Sequence, residues 1–123
     1  MNNKLRKKQV IFVRKISFLS PEFELIFKKE KEEGFDDIPQ CVMGRYVDYI
    51  FKEFNKSNFL PMNIFLNFCE KNIDDSICDL IRITLGESLI YSFRDRIYAD
   101  YIERIAGVKT KKCLEIAIEV CKE

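Results

Sequence analysis

The sequence predicts an all-α fold, a compact bundle of six or seven short amphipathic helices. Three observations carry that expectation: apolar residues recur at helical i, i+3, i+4 spacing along most of the chain, capping residues and prolines punctuate the periodic segments, and no run of alternating residues finds a partner strand. A length of 123 residues fits one domain, 1–123, and 47% hydrophobic residues with 11 Phe and 5 Tyr supply a core. Three prolines and four glycines are too few for a disordered chain.

Residues 4–19 read either as a helix with Phe12, Ile16 and Leu19 on one stripe or as a strand through Val10-Ile11-Phe12-Val13. The absence of a partner strand favours the helix. Ser20-Pro21-Glu22 then signals a helix start, with Ser20 as cap, Pro21 in the first turn and Glu22 facing the positive helix end. That helix should bury Phe23, Ile26 and Phe27, expose Lys28 to Glu33, and stop at Gly34 in a left-handed cap. An acidic loop over 34–39 follows.

The next helix, about 40–56, places Met43, Val47, Ile50, Phe51 and Phe54 on one face, and Asn55-Lys56-Ser57-Asn58 breaks it. A shorter helix over about 61–72 starts at Pro61 and buries Ile64, Phe65 and Phe68. Asp74 or Asp75 caps one over about 75–91, where Ile77, Leu80, Ile81, Thr84, Leu85 and Ser88 keep the helical rule unbroken. Residues 94–106 repeat it with Ile97, Tyr98, Tyr101, Ile102 and Ile105. Gly107 stops that helix, and Thr110 caps a last one over about 111–122. Short connections between such helices suit stacked antiparallel pairs.

Histidine is absent, which removes the side chain most used for proton transfer near neutral pH and the commonest metal ligand. A nucleophilic Cys would have to find its base among carboxylates or lysines. Cys69 and Cys78 are too far apart in sequence for a zinc motif. Asp36-Asp37 and Asp74-Asp75 do not match the twelve-residue calcium loop. The glycines at 34, 44, 86 and 107 are isolated, so no phosphate-cradling loop is present. Sequence alone cannot pair carboxylates across a cleft for glycoside hydrolysis. We expect no enzyme, no catalytic residue, no metal site and no cofactor.

Five cysteines without a CxxC pair, and a basic start not followed by a long apolar segment, read as reduced, mostly buried thiols in a cytoplasmic protein. No apolar run is long enough for a membrane span, so no membrane partner is expected.

The net charge of +1 conceals an asymmetry. Residues 1–20 carry six cations and no acid, and the remaining 103 residues carry a net charge of −5. The basic segment invites a nucleic-acid reading. No recognition motif follows it, however, and the acidic body would repel a polyanion, so direct nucleic-acid binding is not expected. The acidic groups are the better partner surface: Asp36 and Asp37 in one loop, flanked by Glu30, Glu32 and Glu33, and Asp74, Asp75 and Asp79 at one helix start. If these share one end of the bundle, Glu33, Asp36, Asp37, Asp74, Asp75 and Asp79 form a docking site for a basic protein. Phe35, Tyr46 or Tyr49 would serve as its aromatic anchor.

From about residue 21 to 120 the layout resembles helical immunity proteins of bacterial contact-dependent growth inhibition and related polymorphic toxin systems. The residues that carry the resemblance are Pro39 with Met43-Gly44-Arg45-Tyr46-Val47, then Phe65-Leu66-x-Phe68. Asp74-Asp75-x-Ile77-x-x-Leu80-Ile81 and Ile105-Ala106-Gly107-x-Lys109-Thr110 complete it. The resemblance implies an all-α protein without catalytic residues that binds the toxin domain of its own strain and blocks the active site or substrate path. The acidic body suits a toxin with a cationic cleft, such as an RNA-cleaving nuclease. The alternatives are a nucleic-acid-associated regulator using the basic N-terminal segment, or a helical adaptor protein.

Overall fold

The computed structural model describes residues 3–123, and every regular element among them is helical. In chain order these are α1 (Asn3–Ile16), α2 (Pro21–Glu32), α3 (Pro39–Asn55), α4 (Leu60–Asn72) and α5 (Asp75–Ile81). A π-helical turn (Arg82–Gly86) joins α5 to α6 (Glu87–Tyr91), and α7 (Arg96–Ile105), α8 (Val108–Cys113) and α9 (Glu115–Lys122) complete the chain. The all-α expectation holds, and residues 4–19, left between helix and strand, are helical up to Ile16. No helix among the described residues is long and apolar enough to cross a membrane.

Local signals set most boundaries. The Ser20 hydroxyl accepts from the Phe23 N–H at 3.2 Å, with Pro21 opening α2. Gly34 ends α2 at φ +84°, in the left-handed region that only glycine enters without strain. The Gly34 N–H donates to the Lys31 carbonyl and the Phe35 N–H to the Glu30 carbonyl, a Schellman closure. Helix α3 ends by the same pair of bonds around Ser57 at φ +64°. Of the two aspartates offered as the α5 cap, Asp74 performs it, accepting from the Ile77 N–H at 2.9 Å.

Helix α3 is the centre of the bundle. Val42, Met43, Tyr46, Val47, Ile50, Phe51 and Phe54 are all buried, and α1, α2, α4 and the π turn pack around them. Phe23 meets Tyr46 and Tyr49 edge-on at 5.3 and 5.4 Å. An aromatic seam fastens the C-terminal part: Phe93 stacks on Phe51 at 4.2 Å, and Tyr98 and Tyr101 pack on Phe54. Tyr101 also donates to Asn63 Oδ1 at 2.6 Å.

Four expectations change. The helix over 75–91 is not uniform but passes through the π turn, within which Thr84 donates its hydroxyl back to the Leu80 carbonyl at 2.6 Å. Ile97, placed on the buried stripe of α7, is exposed, while Ala99 and Ile102 are buried. Thr110 does not cap a helix but lies inside α8. Its N–H and hydroxyl both donate to Glu70 Oε1, at 2.8 and 2.9 Å, and the Lys109 N–H donates to Glu70 Oε2 at 3.2 Å. A carboxylate on α4 therefore caps α8 from another part of the chain. Gly107 has an ordinary φ of −71° and is needed for room instead, since a Cβ there would lie 2.2 Å from Glu70 Cδ.

The fourth change concerns sulfur. Cys78 of α5 and Cys113 of α8 form a disulfide across a Cα–Cα distance of 5.4 Å, where all five thiols were expected to be reduced. Pairing over 35 residues depends on how α5 meets α8, which spacing does not reveal. The cysteine count thus no longer argues for a reducing compartment. Cys69 and Cys121 are buried thiols, each pushed up in pKa chiefly by burial, and Cys41 is exposed.

Glu70→Ala should lower the free energy of unfolding by about 1–2 kcal/mol, the usual worth of a helix cap. Gly107→Ala displaces the same carboxylate, so in denaturant titrations the double variant should lose less than the two single losses added together. Closing a 35-residue loop in the unfolded chain is worth roughly 3–4 kcal/mol. Reduction should lower the free energy of unfolding by that order, and non-reducing peptide mapping should recover the Cys78–Cys113 pair.

Candidate functional site

The two acidic groups lie on either side of the N-terminal half of α1. From its outer turns Arg6 Nη2 donates to the Asp37 carbonyl oxygen at 3.0 Å. Lys8 Nζ lies 3.6 Å from Asp74 Oδ2. Gln9, buried one residue on, donates to the Ser76 carbonyl at 2.7 Å. Helix α1 thus contacts the 34–38 loop on one side and the start of α5 on the other. Glu33 closes α2 and leads directly into that loop.

The six acidic residues are not equivalent. Asp74 is engaged twice, as the α5 cap and with Lys8; the Ile77 N–H, the Ser76 hydroxyl and the Lys8 ammonium outweigh burial and hold its carboxyl below the usual range. Asp79 pairs at 3.0 Å with Arg82, the first residue of the π turn that follows its helix. Glu33, Asp36, Asp37 and Asp75 form no ion pair among the described residues. These four carry the uncompensated negative charge, all on exposed or half-exposed positions.

Of the three aromatic anchors, Phe35 is exposed at 42% within the acidic loop itself. Tyr49 is half-buried against Phe23. Tyr46 is fully buried, with its hydroxyl donating to the Val13 carbonyl at 2.9 Å, so it is part of the core and not an anchor. Burial, with the negative charge of Glu30 beside it, pushes the Tyr46 pKa far up.

Glu30 departs most from expectation. It was placed among the exposed acids of the α2 end, yet it is only 3% exposed, and Arg45 Nε donates to its Oε1 at 3.0 Å. Together with Ile26, Glu33, Asp48 and Tyr49 the pair lines a groove of about 320 Å³ between α2 and α3. Its position at i+4 from Ile26, on the buried side of α2, is the one signal in the sequence that placed it inward.

Comparison with protein-family models, curated proteins and solved structures gave no match to this chain.

Because the folded-state pKa of Asp74 is depressed, its stabilising effect is full above the unfolded carboxyl pKa of about 3.9 and is lost as pH falls below that value and through the lower folded-state pKa. Asp74→Ala should therefore cost about 1 kcal/mol in urea unfolding at pH 7. The gap between wild type and variant should narrow by pH 3.

Proposed function

We propose that this chain is a binding protein that neutralises a basic protein partner, the toxin domain of a polymorphic toxin system, by covering its active site or substrate path. A cationic cleft of the kind an RNA-cleaving nuclease uses is the complementary surface. The observation that carries the reading is that α1 contacts both the 34–38 loop and the start of α5, so that the two acidic groups flank one helix. That arrangement supports a shared acidic surface in which Glu33, Asp36, Asp37 and Asp75 retain unpaired charge, with Phe35 beside them as an apolar anchor. Asp74 and Asp79 would contribute to it with part of their charge offset by Lys8 and Arg82. On this reading the protein acts by occupancy and no side chain takes part in a reaction.

A standard interface of about 1,600 Å² in total would extend from this end onto neighbouring helix faces. Charge of one sign at its rim raises the association rate and selects partners more than it deepens affinity. The encounter belongs in the cytoplasm, where a ribonuclease meets its substrate.

The test looks for a toxin domain in the reading frame adjoining this chain's, whose absence overturns the reading, and measures its stopped-flow association with wild type and with the double variant Asp36→Lys, Asp37→Lys. Association should slow by about tenfold at low salt, and its salt dependence should flatten. An unchanged rate removes this surface from the interface.

A further inference from the structure

The outer face of α1 is a cationic stripe that the acidic site does not use. At about 100° per residue, Lys4, Lys7, Ile11, Arg14 and Lys15 fall within an arc of roughly 100°. All five are exposed, and the arc lies opposite the buried residues Gln9, Phe12, Val13 and Ile16. Helix α1 contains no acidic residue, and Lys4, Lys7, Arg14 and Lys15 form no ion pair among the described residues. Arg6 and Lys8, the other two cations of the segment, are the ones turned toward the acidic groups. The helix thus divides its charge: two cations hold the neighbouring loop and helix start, and four remain on the outside. Phe18 follows the stripe, its N–H donating to the Lys15 carbonyl at 3.1 Å, and it is 78% exposed.

We propose that this stripe binds single-stranded nucleic acid, with Lys4, Lys7, Arg14 and Lys15 on the phosphates and Phe18 stacked on an unpaired base. The inference stands apart from the proposed docking site, which uses other residues. It revises the expectation that the acidic body would repel a polyanion, because the one carboxylate ion-paired with α1 among the described residues, Asp74, takes up Lys8 and leaves the four outer cations unpaired. From Lys4 to Lys15 the stripe runs about 16 Å along the helix axis, enough to follow several nucleotides. An exposed aromatic ring beside a row of cations is the combination that single strands use, since every base offers a face to stack on. An anionic membrane is the poorer fit. A helix lying in a bilayer interface turns its apolar face to the lipid, and the apolar face of α1 is committed to the core through Phe12, Val13 and Ile16.

Fluorescence anisotropy with a labelled mixed-sequence 20-nucleotide RNA, titrated with the full chain at several salt concentrations, tests this. Four phosphate contacts on a single strand give a log–log salt slope near −3, so affinity should fall about 50-fold between 50 and 200 mM salt. The variant Lys4→Gln, Lys7→Gln, Arg14→Gln, Lys15→Gln should lose at least tenfold in affinity at 50 mM salt. A matched variant at exposed lysines elsewhere (Lys28→Gln, Lys31→Gln, Lys71→Gln, Lys112→Gln) should keep it. Phe18→Ala should weaken binding several-fold without altering the salt slope. Circular dichroism checks that each variant keeps its helices, and the conservative variant Arg14→Lys should bind like wild type. The proposal is overturned by absence of binding at 50 mM salt, by equal losses in the two quadruple variants, or by tighter binding to duplex RNA. Tighter binding to phosphatidylserine vesicles than to the single strand also overturns it.

Discussion

Burial of one face of α3 is the constraint on which the other elements depend. Seven of its side chains, from Val42 to Phe54, lie in the interior, and each large apolar one contributes roughly 1.5–3 kcal/mol by leaving water. Helix α1 covers this face through Phe12, Val13 and Ile16, α2 through Phe23, and α4 through Met62, Phe65 and Leu66. The π turn closes it from the other side with Leu85. With its inner face committed in this way, α1 can turn only its remaining surface outward, and that surface is where its charge resides.

Charge is organised by the same packing. Arg6 and Lys8 leave α1 on roughly opposite sides, which lets one helix reach the 34–38 loop with one side chain and α5 with the other. The basic leader and the acidic body, opposed in sequence, are therefore in contact in the fold. Beside α1, Glu33, Asp36, Asp37 and Asp75 keep no ion pair among the described residues, and neither do four cations along the helix. Each set is an exposed field of one sign, and such fields act on partners more than on stability.

Much of this was legible beforehand, for local reasons. Helix starts at Ser20-Pro21 and Asp74 and the stop at Gly34 rest on bonds within a few residues, so capping chemistry locates them. The acidic residues at 36–37 and 74–75 are visible as sequence groups, but that α1 contacts both groups follows only from the fold. Glu30 was misplaced because three charged neighbours suggested a solvated helix end, and only the packing of α3 brings Arg45 to it. Tyr46, offered as an anchor, was claimed by the core.

By itself the sequence determined the helical periodicity, the caps and the division of charge between residues 1–20 and the rest, all properties of neighbours within about one turn. Tertiary structure alone decided that Glu70 caps α8, that Gly107 must be small, that Cys78 meets Cys113, and which cations of α1 are used up inside the protein. Each of these joins residues more than 30 positions apart or depends on what a helix face meets. Periodicity says which side of a helix is apolar, and only packing says what lies against the other.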